Sequence, residues 1–114
     1  MGLLNMFSRG YDAMPADAIA HDDMVEAVAS GNCTIIDVRE AGEFANGRIE
    51  GSINIPLSSF NPARAPKDKP IIVHCLTGAR SAMAMNILRS AGFTDVRNYR
   101  PGIAGWRMQG GRLL

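Results

Sequence analysis

An apolar, β-branched run that stops at a cysteine, turns through a glycine and enters a helix leaves few folds open. The run is Pro70-Ile71-Ile72-Val73-His74, the cysteine is Cys75, and Leu76-Thr77-Gly78-Ala79-Arg80-Ser81 leads into Ala82-Met83-Ala84-Met85-Asn86-Ile87-Leu88-Arg89. Strand, tight loop and helix start in that order form an anion cradle. The loop amides and the unpaired N–H groups of the first helical turn converge, and the helix dipole adds partial positive charge there. Cys75 stands where that field favours thiolate over thiol. The plainer reading is a small buried hydrophobe at a strand end, but such a residue needs neither the loop nor Arg80.

Around this stretch, strands alternate with helices. Ala18-Ile19 begins a short strand. Asp22 or Asp23 then caps a helix through Ala29, with Met24, Val25 and Val28 as its buried stripe and Gly31 at its end. Cys33 to Val38 reads as an interior strand, Ala41 to Asn46 as a short helix, and Ser52 to Ile55 as a short strand. Leu57 to Lys69, rich in proline, is a surface connection with one helical turn near Ser58 to Asn61. The helix after Cys75 ends near Ser90 or Ala91. Its methionines, with Ile87 and Leu88, leave it apolar on more than one side and hence largely buried. Thr94 to Tyr99 offers a last strand, and Gly102 opens a short helix with Ile103 and Trp106, the latter a core anchor. Met1 to Asp17 reads as a tail, residues 18–110 as the folded domain, and 111–114 as a frayed end. The alternation predicts an α/β fold with a parallel sheet covered on both faces, and ligands then bind beyond the carboxyl ends of the strands. Asp37 and Cys75 both close strands there.

A chain of 114 residues suffices for one domain with a real core. The net charge of +1 supplies no field that would direct it to nucleic acid or an anionic membrane. No apolar run approaches a membrane span, and Asn5 and Ser8 interrupt any signal-peptide core. The two cysteines, Cys33 and Cys75, make no disulfide scaffold, so a reducing, cytoplasmic setting is expected. Their spacing, and that of His74, is not a metal-ligand pattern, so neither metal nor cofactor is expected.

The sequence offers Cys75 no general base. His74 is its neighbour and projects to the opposite face of the strand, while His21 reads as a solvated helix-end residue on a distant element. A thiolate formed without an imidazole, by loop amides, is the mechanism that remains. Cys33, at the other end of its strand, is expected to pack.

Ile36-Asp37-Val38-Arg39-Glu40, then Glu43-Phe44, then Gly47 to Pro56, then Val73 to Ser81 and Gly102 to Trp106 together resemble the rhodanese domain over about Ile19 to Gly110. The resemblance implies a three-layer fold with a central, mainly parallel sheet and helices on both faces. It also implies a sulfurtransferase. Cys75 takes the outer sulfur of a small sulfur-containing anion such as thiosulfate as a persulfide, and cyanide, a thiol or a protein acceptor removes it. The N–H groups of Leu76, Thr77, Gly78, Ala79, Arg80 and Ser81 would hold the terminal sulfur, and Arg80 would brace the loop and attract the donor. Asp37 and Arg39 match the family's DxR element and are expected to hold the loops below the site. Arg48, where the family commonly has His, stands either at the pocket rim as a second cation or in a surface salt bridge. Pro101 replaces the first of two glycines before the final helix and so alters the rim.

Other classes make different demands. A small phosphatase or arsenate reductase is the nearest rival: His74-Cys75 followed by Arg80 resembles the tyrosine-phosphatase signature, but that has five residues between Cys and Arg and here four intervene, Leu76 to Ala79. No carboxylate is identifiable as the acid for a leaving alcohol. A non-catalytic binding module, or a domain relaying sulfur to a protein, is the remaining alternative. A binding module would be free to lose the thiol, whereas this chain keeps Cys75, Gly78 and Arg80 together.

Overall fold

The computed structural model describes residues 15–114; of the expected tail, Met1 to Asp17, residues 1–14 lie outside them, while the Asp17 carbonyl accepts the Asn98 N–H at 2.7 Å and its carboxylate lies 3.7 Å from Arg89. Four parallel strands form one sheet. They are β1 (Thr34–Asp37), β2 (Ile53–Asn54), β3 (Ile71–His74) and β4 (Val96–Asn98), in the order β2-β1-β3-β4. Ile36 pairs with Ile53 on one side and Val73 on the other, and Val73 in turn faces Asn98. The strand expected at Ala18-Ile19 is a single parallel bridge from Ala18 to Asn98.

Strand alternation splits the core in two. Ile36, Val38, Ile71, Val73 and Cys75 face one side, where Ala84, Met85 and Leu88 of helix α3 (Ala79–Ser90) cover them. Ile35 and Ile72 face the other. There they meet Met24 and Ala27 of α1 (His21–Ser30), and Ile103 and Trp106 of α4 (Gly102–Met108). The result is three layers, helix on sheet on helix, as expected for adjacent parallel strands that are apolar on both faces. A short helix α2 (Ala41–Ala45) follows β1.

Several expectations are corrected. α1 begins at His21 with Ala20 as its cap residue and no side-chain cap; Asp22 and Asp23 lie inside its first turn, where they still complement the helix dipole. Val25 is 44% exposed, because the face turned to the sheet carries Met24, Ala27 and, partly, Val28. α3 is not buried all round: Met83 is 60% exposed and Ile87 37%, since only one of its faces meets the sheet. The connection after β2 makes two 3-10 turns, Leu57–Ser59 and Pro62–Arg64, rather than one helical turn. The C-terminal residues are not frayed. Leu114 exchanges backbone hydrogen bonds with Arg48, Arg112 accepts one from the Trp106 indole, and Leu113 packs on the α1/α4 core.

Candidate active site

Cys75 sits just past β3, only 1% exposed, on the α3 side of the sheet. Its Sγ accepts the Gly78 N–H at 3.1 Å and lies 3.4 Å from the Ser81 hydroxyl, which itself donates to the Gly78 carbonyl. Burial alone pushes the thiol up. The Ser81 hydroxyl and the N–H groups of Ser81, Gly78 and Thr77 outweigh it, and the Cys75 thiol falls below its ordinary range. Of the six loop N–H groups expected to serve the sulfur, those of Thr77, Gly78 and Ser81 are turned to Sγ, and the Ser81 hydroxyl lies beside it.

Two glycines hold the cradle in shape. Gly78 caps α3 in the left-handed region at φ 100°, and a Cβ there would meet the Arg100 carbonyl at 2.7 Å. Gly102 (φ 64°) passes so close beneath the loop that a Cβ would press on the Leu76 carbonyl and lie 2.6 Å from that of Cys75. The close approach lets Ile103 N–H donate to Cys75 O at 2.9 Å and Ala104 N–H to Leu76 O at 3.2 Å. The first turn of α4 thus takes up the loop's carbonyls, and loop N–H groups are left for the sulfur.

Arg80 projects from the first turn of α3 to Glu43 of α2. Its two terminal nitrogens donate to the two carboxylate oxygens at 2.7 and 3.1 Å. Glu43 is held down to about 2, first by that hydrogen bond and then by the Glu40 N–H, which it accepts as part of the cap of α2. Arg80 therefore braces the loop, with its charge answered by a carboxylate. Glu43 is the partner that inspection of the sequence missed. Only its place four residues after the DxR element hinted at it.

On the other face of the sheet, Arg39 forks onto buried Asp37 through Nε and Nη2 at 2.7–3.0 Å and also holds the Gly47 carbonyl at 2.7 Å. His74 Nε2 lies 3.9 Å from Asp37, and burial lowers the tendency of its ring to protonate. Its Nδ1 meets Cys75 O at 3.4 Å, so the ring touches the cysteine's backbone rather than its sulfur. Arg48 stacks its guanidinium over Phe44 at 5.2 Å and forms none of the salt bridges seen among the described residues. Asn98, unremarked in the sequence, is buried at the end of β4 and donates to the Gly78 carbonyl at 3.3 Å.

His21 is not a solvated end residue. Its Nδ1 meets the Tyr99 hydroxyl at 2.7 Å, beside Trp106. Burial pushes Tyr99 up to about 12, so that hydroxyl keeps its proton. Cys33 packs against the α1/α4 core, and its thiol is raised, by burial first and then by Asp95. Trp106 is buried among Tyr99, His21 and Ile103. Among the described residues no three His, Cys, Asp or Glu side chains cluster as metal ligands, and no helix is long and apolar enough to cross a membrane.

Comparison with known proteins identifies the family and the fold. Residues 20–109 match the rhodanese-like domain. The Bacillus subtilis protein YqhL is 38% identical over 81 residues, covering 69% of this chain, which in turn spans 62% of that relative's length. The human thiosulfate:glutathione sulfurtransferase is 30% identical over 107 residues, 80% of this chain and 93% of its own. A rhodanese-related protein from Thermoplasma volcanium, solved by crystallography, superposes with a TM-score of 0.77 at 32% identity, over 85% of this chain and 96% of that one. The match runs from the start of α1 to the end of α4 and takes in the whole cysteine loop; the chain belongs to the rhodanese-like domain family.

Proposed function

We propose that this chain moves a sulfane sulfur from an anionic donor such as thiosulfate to a thiophilic acceptor through a persulfide on Cys75. The main support is a sulfur that accepts hydrogen bonds from loop N–H groups and lies 3.4 Å from the Ser81 hydroxyl, at the carboxyl end of the sheet, with no imidazole at the sulfur. A relative named for transfer from thiosulfate to glutathione belongs to the same class.

In the first half-reaction the Cys75 thiolate attacks the outer sulfur of thiosulfate. The new S–S bond forms as the donor's own S–S bond breaks, and sulfite leaves with the electron pair. The terminal sulfur left on Cys75 is anionic, and the same N–H groups receive it. In the second, an acceptor thiolate attacks that outer sulfur after it has gained a proton from water. The pair from the broken bond returns to Sγ. Both halves are displacements at sulfur and give ping-pong kinetics. Enclosure of Sγ excludes bulky electrophiles and admits a terminal sulfur past the exposed side chains of Leu76 and Thr77. A free, easily ionised thiol suits a reducing compartment, and on this reading the protein works in the cytoplasm.

Intact-mass spectrometry after thiosulfate treatment is the decisive measurement. The wild-type chain and Cys33→Ser gain the mass of one sulfur atom, and Cys75→Ser does not. A gain that survives Cys75→Ser, or is lost with Cys33→Ser, overturns the assignment. Release of phosphate from an aryl phosphate, with no sulfur gained, would move the chain to the phosphatase class.

A further inference from the structure

Beside the cysteine loop lies a cleft of about 480 Å³ lined by Ala18, Ile19, Ala20, His21, Thr77, Arg100 and Pro101. Thr77 belongs to the loop itself, and its N–H is one of those turned to the Cys75 sulfur. Arg100 is tied to the same loop from the other side, because its carbonyl and Cα lie against Gly78, where a Cβ would find them at 2.7 and 3.3 Å. The cleft therefore borders the cysteine loop at Thr77.

Arg80, within the loop's helix start, and Arg100, at the cleft, differ in one respect. Arg80 is neutralised by the two oxygens of Glu43. Arg100 is exposed and, among the described residues, stands in no salt bridge. Arg100 thus brings to the cleft a positive charge that no carboxylate among the described residues answers, beside short apolar walls from Ala18 to Ala20 and Pro101. His21 adds a polar edge; its Nδ1 is engaged by Tyr99, which leaves Nε2 for a ligand.

Taking the sulfur-transfer reading as its basis, we infer that this cleft binds the sulfur acceptor, a small thiol carrying a carboxylate, with Arg100 as the counter-ion of that carboxylate. The short carbon chain of such a thiol lies against the apolar wall while its sulfur points past Thr77 to the persulfide. The acceptor thiolate forms a bond to the outer sulfur of Cys75–S–SH, the S–S bond to Cys75 breaks with its electron pair returning to Sγ, and the acceptor leaves as a persulfide. Arg100 acts by binding and takes no part in bond making.

The test uses mercaptoacetate and mercaptoethanol as acceptors that differ in the carboxylate, with thiosulfate as donor, on the wild-type chain, Arg100→Ala and Arg100→Lys. Truncating Arg100 beyond Cβ leaves the backbone contact with Gly78 in place. The expected result is a wild-type preference in kcat/KM for the carboxylated thiol, lowered about tenfold in Arg100→Ala through KM for that thiol and largely recovered in Arg100→Lys. An unchanged preference in Arg100→Ala, or a change confined to the KM of thiosulfate, overturns the assignment of the cleft to the acceptor. Intact mass separates the two layers. A wild-type chain that gains no sulfur from thiosulfate overturns the transfer reading and this proposal with it, whereas one that gains sulfur but ignores the carboxylate overturns this proposal alone.

Discussion

The two cysteines of this chain differ because of what surrounds each sulfur. Cys75 has hydrogen-bond donors aimed at it; Cys33 has an apolar core and a carboxylate nearby. A lowered thiol loses its proton at lower pH, and a raised one holds it longer. Alkylation followed across pH and resolved by peptide mass should therefore give a midpoint below 9.0 for Cys75 and above 9.0 for Cys33. Ser81→Ala removes the hydroxyl 3.4 Å from Sγ. The hydroxyl helps to hold the thiol down, so the Cys75 midpoint should rise in that variant. A midpoint unmoved by Ser81→Ala would mean that the amides alone ionise the thiol.

Among the elements, α2, α3 and α4 converge on one short loop and do different things to it. α3 supplies the brace through Arg80, and α2 receives it through Glu43. Because Glu43 is depressed, the pair is intact above the ordinary carboxyl value of 4.5 and is lost as pH falls toward about 2. An NMR titration of the Glu43 carboxyl should show that low midpoint in the wild type and a return toward 4.5 in Arg80→Ala. As a partly exposed ion pair it adds no more than about 1 kcal/mol to stability. Arg80→Ala should accordingly lose sulfur transfer and bind thiosulfate more weakly while Tm changes little. α4 contributes through contact at Gly102 rather than through charge. Gly102→Ala drives a methyl into the Cys75 and Leu76 carbonyls, at a cost of roughly 1–3 kcal/mol or more, and should reduce both Tm and the yield of persulfide.

For the molecule as a whole, the buried Asp37–Arg39 pair joins β1 to the turn at Gly47 on the face of the sheet opposite the thiol. On the proposed reading it braces the carboxyl edge of the sheet and lies outside the reaction. Removing one partner leaves a buried charge unanswered, which costs about 3–5 kcal/mol. In a domain of this size Asp37→Ala should lower Tm by more than about 10 °C, as calorimetry would record. A small change would mean that the turn at Gly47 is held by other contacts.

Much of this was legible from local pattern. β-branched runs gave β1 and β3, the turn at Gly78 gave the loop, and the parity of adjacent strand residues put His74 and Cys75 on opposite faces, because each of these is decided within a few bonds. The burial of α1 and α3 was misjudged at Val25, Met83 and Ile87, since apolar character does not say which side of a helix meets the sheet. What Glu43, Asn98, Gly102 and the cleft at Arg100 touch was not legible locally. Each matters through a neighbour distant in sequence, and such neighbours meet only when parallel crossovers bring the carboxyl ends of separate strands, and the helix starts beyond them, to one edge.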